Sequence, residues 1–181
     1  MTDQAPRPES DIPGKPTAAS RTTLSHIMTG SDTNLLGTVH GGVIMKLVDD
    51  AAGAVAGRHS GGPAVTASMD EMAFLAPVRV GDLVHATAQV NWVGRSSLEV
   101  EIDVTAERWD QAAAHATHVA SAHLVFVAID GTGQPRTVPP LALETDDHRR
   151  RWAEAQIRRQ HRLARRDAIL ASRDAKDQPA G

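Results

Sequence analysis

Between Val43 and about Arg58, the apolar residues Ile44, Leu47, Val48, Ala51 and Val55 recur at spacings of three and four. That period predicts a helix with one apolar stripe. Gly42, Lys46, Asp50, Gly53 and Gly57 fall along the opposite side. Glycine inside a helix costs about 0.5–1 kcal/mol relative to alanine, so Gly53 predicts close packing or a backbone approach. Ser60-Gly61-Gly62-Pro63 ends the helix.

Elsewhere the period is two. Val84, Ala86, Ala88, Val90 and Trp92 alternate with His85, Thr87, Gln89 and Asn91; after a Gly94-Arg95-Ser96 turn, Leu98, Val100, Ile102, Val104 and Ala106 alternate with Glu99, Glu101, Asp103, Thr105 and Glu107. Two such neighbours predict an antiparallel hairpin with one wet face. Residues 21–28 suit a first short strand, 64–74 a less regular one, and 116–129 a strand inside the sheet. Pro77 and Gly81-Asp82 mark a turn, and Gly131 to Pro140 a loop. The order is strand, long helix, four strands, then a polar helix. One helix on one antiparallel sheet is an α+β layer architecture, and a long glycine-bearing helix wrapped by such a sheet points to a hotdog fold.

A length of 181 residues fits one domain. Residues 1–19, with four prolines among polar residues, suit a disordered N-terminal arm. The domain proper is expected over 20–140, and a basic helix and tail over 141–181. Charge divides the same way: residues 1–147 carry 9 Lys/Arg against 18 Asp/Glu, and residues 148–181 carry 10 against 4. A basic tail raises a nucleic-acid or membrane role, but no base-reading motif accompanies it. A solvated or oligomer-facing helix, with Trp152, Leu163 and Leu170 packing, is the expectation. There are no cysteines, which excludes disulfides and thiolate chemistry. No run approaches the roughly 20 apolar residues of a membrane span, and the first residues lack a secretory pattern. The cytoplasm is the default.

The candidate chemistry lies in Asn34-Leu-Leu-Gly37-Thr-Val-His40-Gly41-Gly42 and in Asp49. Unpaired N–H groups at a helix start suit the oxyanion formed when water attacks a thioester. Gly41 and Gly42 let the substrate approach them closely. Asp49 would serve as general base or as nucleophile, or belong to a solvated helix face. Asn34 offers a donor and an acceptor, and also good turn chemistry. His40 is a base, a hydrogen-bond donor or a loop cap. A metal site is not expected: His115 and His118 point to opposite strand faces, and His123 lies roughly 27 Å from His115 at about 3.3 Å per residue. Nucleophile-elbow, phosphate-loop and dinucleotide patterns are absent from the sequence.

These motifs carry a resemblance. SDTNLLGTVHGGVIMKLVDDAAGAVAGRHS, VTASMDEMAFLAPVRVGD and the hairpin VGRSSLEVEIDV resemble the hotdog-fold cytosolic acyl-CoA thioesterases. ETDDHRRRWAEAQIRRQ is similar to the charged helix that follows each unit there. The resemblance implies hydrolysis of medium- to long-chain acyl-CoA to fatty acid and CoA, with no cofactor besides the CoA carried by substrate and product. It implies that Asn34 and Asp49 are the catalytic amide and carboxylate, contributed by opposite units, and that Gly41 and Gly42 polarise the carbonyl. It implies self-association as a homodimer and then a trimer of dimers, with neither nucleic acid nor membrane as partner. Where related hydrolases carry a strand hydroxyl, the aligned position is Ala67, between Thr66 and Ser68, and that role stays unassigned. Arg95, Ser96 and Ser97 are candidates for CoA contacts, or simply turn residues. A non-hydrolytic acyl-CoA sensor and an enoyl-CoA hydratase are the competing readings.

Overall fold

The structure, a computed structural model, describes residues 12–108, 110 and 116–174. The elements run β1 (Lys15–Pro16), β2 (Thr22–Ile27), α1 (Gly41–Ser60), β3 (Ala64–Phe74), β4 (Asp82–Val93), β5 (Ser97–Arg108), β6 (Thr117–Ala128), β7 (Leu141–Ala142) and α2 (Asp146–Asp174). The main sheet has the order β2-β4-β5-β6-β3 and is antiparallel throughout. Its two edges are therefore β2 and β3.

Helix α1 lies on the inner face. Its buried stripe is Ile44, Val48, Ala51, Ala52, Val55 and Ala56. Opposite stand Val84, Ala86, Ala88 and Val90 of β4, with Val100, Ile102, Ala122, Leu124 and Phe126 from β5 and β6. Alanines on both sides let helix and sheet approach closely, and close packing is what maximises dispersion contacts. A side chain at Gly53 would make only ordinary contact, 3.8 Å, with the Phe126 ring.

Both ends of α1 are capped. His40 has extended backbone and its Nδ1 accepts from the Gly42 N–H at 2.9 Å. At the far end Gly61 takes φ +74°, and the N–H groups of Gly61 and Gly62 both donate to Gly57 O. A left-handed residue here suits glycine. The Arg136 guanidinium donates to the Ser60 carbonyl at 2.6 Å, placing positive charge at the negative helix end.

Three expectations need correction. The arm predicted over 1–19 is partly ordered: Lys15–Pro16 pairs with Leu141–Ala142, and Thr17 and Ser20 are buried. The anchor is buried His59, placed between Ser20 Oγ at 3.3 Å and the Pro139 carbonyl at 3.2 Å. Residues 1–11 lie outside the described ones. Second, Trp92 leaves the inner series. A register shift after Val90 sets Trp92 opposite Glu99 and Val93 opposite Leu98, so the indole turns to the outer face beneath Arg159, 5.3 Å from its centroid. A β-bulge reverses the alternation in this way.

Third, α2 is neither solvated all round nor packed through Leu170, which is exposed. It crosses the outer face of the sheet, with Ala155 buried against it. Arg151 pairs with Glu101, Arg158 with Glu99 at 2.7 Å and Arg162 with Asp70. Glu99 is 1% exposed. Burial alone would raise the Glu101 carboxyl, but hydrogen bonds from Asn91 and Arg151 outweigh it and hold the pKa below the ordinary value. The face read as wet is thus a charged seam.

Candidate active site

The segment between β2 and α1 folds as a small closed turn. Asn34 N–H donates to Thr38 O at 2.8 Å and Gly37 N–H to Asn34 O at 3.1 Å; Gly37 adopts φ +77°, which glycine reaches without strain. The Asn34 side chain closes the same turn and keeps one Nδ2 hydrogen to spare. Its Oδ1 accepts from Leu36 N–H at 2.8 Å and its Nδ2 donates to Thr38 Oγ1 at 2.9 Å. At the apex Leu35 and Leu36 are 105% and 87% exposed. His40 N–H donates to Asp32 O at 2.7 Å, and Val39 N–H to Val78 O at 2.9 Å. These bonds set the start of α1 against the sheet.

Gly41 and Gly42 open to different sides. Gly41 lines an apolar cavity of about 380 Å³ with Val39, Ile44, Phe74 and Val119. A side chain there would meet the Phe74 ring at 3.4 Å. Gly42 lines a cavity of about 450 Å³ with His26, His40 and Lys46. The two N–H groups also differ. That of Gly42 is taken by His40, whereas Gly41 holds the first helical position, where no intrahelical acceptor exists. His40 therefore has the capping role among those considered for it.

Asp49 projects from the middle of α1 and is exposed. Thr66 Oγ1, on edge strand β3, donates to its Oδ1 at 2.8 Å. In the sequence this hydroxyl stayed unassigned because the aligned position fell on Ala67, between Thr66 and Ser68. Thr66 faces Phe126 and Ser68 faces Val125 on β6, so Ala67 is an extra residue. The neighbouring Asp50 is engaged by Lys46 at 2.5 Å.

Some candidates stand apart within one chain. Asp49 does not line the cavity onto which Gly41 opens. Eight residues of helix, about 12 Å at 1.5 Å per residue, separate them. Arg95, Ser96 and Ser97 sit at the other end of the sheet. The Arg95 carbonyl accepts from Val138 N–H at 2.9 Å, and that of Ser96 from Ala128 N–H at 2.8 Å, beside the end of α1. His118 lies 3.6 Å from Asp103 and His123 3.9 Å from Glu101; among the described residues no cluster of three metal-binding side chains occurs. His115 lies outside them.

The profile of the Thioesterase superfamily matches residues 36–113. An acyl-CoA hydrolase from Staphylococcus aureus, solved with butyryl coenzyme A, coenzyme A and coenzyme A disulfide, is 31% identical, with a TM-score of 0.80 over 92% of this chain and 100% of that one. The chain belongs to the thioesterase superfamily. An apo-hexameric acyl-CoA thioesterase superposes with a TM-score of 0.80 at 31% identity, over 85% of this chain and 97% of that one. The mouse cytosolic acyl coenzyme A thioester hydrolase is 36% identical over 139 residues, 77% of this chain. The chain spans about a third (36%) of that relative's length. The Staphylococcus enzyme has also been solved with an aspartate, an asparagine and a threonine each changed to alanine. Among the described residues of this superfamily member, no helix is long and apolar enough to cross a membrane.

Proposed function

We propose that this chain hydrolyses medium- to long-chain acyl-CoA thioesters to free acid and CoA, at a site assembled from two copies. The carrying observation is the separation just described. A carbonyl held on the Gly41 N–H lies about 12 Å along the helix from Asp49 of the same chain. Attack needs reacting atoms about 3–3.5 Å apart, so a second copy must bring the acid.

In this reading the acyl chain enters the apolar cavity beside Gly41, whose N–H takes the developing oxyanion. The partner's Asp49 removes a proton from water as it attacks the carbonyl carbon. The C–S bond then breaks, and the CoA thiolate leaves and takes up a proton. Thr66 fixes one oxygen of Asp49 and leaves the other as acceptor. Asn34 orients the water or the thioester once its turn meets the partner. Of the two glycines, Gly41 is the donor and Gly42 supports His40. Arg95, Ser96 and Ser97 meet CoA only from a neighbouring subunit.

The spacing in the Staphylococcus enzyme supports this assignment. Its altered asparagine, aspartate and threonine are separated by 15 and 17 residues, as are Asn34, Asp49 and Thr66 here. The hexameric relative supports a homo-oligomer, taken in this reading as a trimer of dimers, and the cytosolic name of the mouse relative supports a cytoplasmic one. The test is CoA-thiol release from acetyl- to palmitoyl-CoA by purified protein. Turnover rising with chain length supports the reading; saturable binding without turnover would replace it with a sensor, and hydration of enoyl-CoA with a hydratase.

A further inference from the structure

We infer that the Arg162–Asp70 pair is a positioning device for the active site: helix α2 holds the bulged edge strand so that Thr66 meets Asp49. This rests on the proposed roles of Thr66 and Asp49. β3 departs from regular pairing twice. Ala67 is the first extra residue and Asp70 the second, since Met69 faces Leu124 and Glu71 faces His123 on β6. The bulges carry β3 past the helix with Thr66 turned inward to Asp49 and Asp70 turned outward to α2.

Asp70 is nearly buried, its side chain 8% exposed, and Arg162 is its counter-ion. Its Oδ1 is buried with no hydrogen-bond partner. A buried carboxylate without its cation is strongly unfavourable. Losing Arg162 therefore drives Asp70 towards water and pulls on β3, which the rest of the chain holds through β6 on one side and α1 beneath. Thr66 lies four residues away, across the other bulge. Among the described residues Arg162–Asp70 is the one ion pair between α2 and β3, whereas Arg151 and Arg158 reach β5. The pair touches no reacting atom and acts through Thr66.

The experiment compares Arg162→Met and Arg162→Lys in the full chain, each alone and combined with Thr66→Val, using steady-state CoA release. Arg162→Met is expected to lower kcat roughly tenfold, since small misplacements near the chemistry are costly, with KM little changed. Arg162→Lys retains the charge and most of the rate. In the Thr66→Val background, Arg162→Met adds no further loss. An equal loss in both backgrounds would make the pair merely structural and overturn the inference. So would an unchanged rate in Arg162→Met while Thr66→Val is impaired, an outcome that leaves the Thr66 assignment intact. Wild-type turnover in Thr66→Val alone removes that assignment and the inference with it. Should Arg162→Met not fold, Asp70→Asn, which removes the buried charge, is run through the same comparison.

Discussion

Thr66 Oγ1 donates to Asp49 Oδ1 at 2.8 Å, joining the edge of the sheet to the middle of the central helix. The bond leaves one carboxylate oxygen fixed and the other available. Asp49→Asn keeps the shape but not the basicity, and should cut turnover by about three orders of magnitude. Thr66→Val should cost about tenfold. Both are read as CoA release, with circular dichroism confirming the fold; a fully active Asp49→Asn would end the proposed mechanism.

Subunit sharing has a sharper signature than any single variant. Asn34→Ala and Asp49→Ala homodimers should each be inactive. Mixed and allowed to exchange, they form heterodimers with one complete site and one doubly deficient site. Roughly a quarter of wild-type activity should return, from statistical exchange of a two-fold dimer. No recovery after demonstrated exchange would place each site within one chain.

Gly42→Ala probes the helix start. The new Cβ would lie 3.0 Å from His40 Nδ1 and would force the cap off its N–H. Loss of an N-cap costs about 1 kcal/mol. A lower urea midpoint with an unchanged m-value is the expected outcome.

The buried pair under α2 predicts asymmetry. Arg158→Ala strands Glu99, which is 1% exposed, and should destabilise by about 3 kcal/mol. Adding Glu99→Leu should recover much of that loss. Thermal melts of the single and double variants decide it.

His59 predicts a pH dependence. Burial lowers its pKa below the ordinary value, against the opposing pull of the Pro139 carbonyl, and Lys15 adds to the lowering. The unfolded chain therefore takes up a proton first. The stability from the neutral ring is complete above about pH 6.5 and is lost as the pH falls through that value towards the depressed folded pKa. His59→Gln should flatten the fall in melting temperature between pH 7 and 5.

Much of the fold was legible because inner positions alternate without interruption. Val84 to Val90 and Leu98 to Val104 read directly as strands, and Ile44 to Val55 as the helix. Trp92 and the stretch from Thr66 to Glu71 were not, because one inserted residue reverses every later side chain and nothing in composition marks it. The candidate site could be proposed from residue types: Asp49 and the glycines stood out by their place at the helix. Gly41 could not be told from Gly42, since that difference rests on where the His40 ring turns. Nor could the arginines of α2 be assigned partners. Their carboxylates sit on β3 and β5, and sequence patterns carry charge but not contact.

The seam between α2 and the sheet has one more consequence. Guanidinium is chemically the head group of arginine, so the denaturant competes as a ligand for Glu99, Glu101 and Asp70, whereas urea cannot. In guanidinium chloride the outer helix should peel away before the oily interior melts, splitting one unfolding curve into two; in urea both layers should go together.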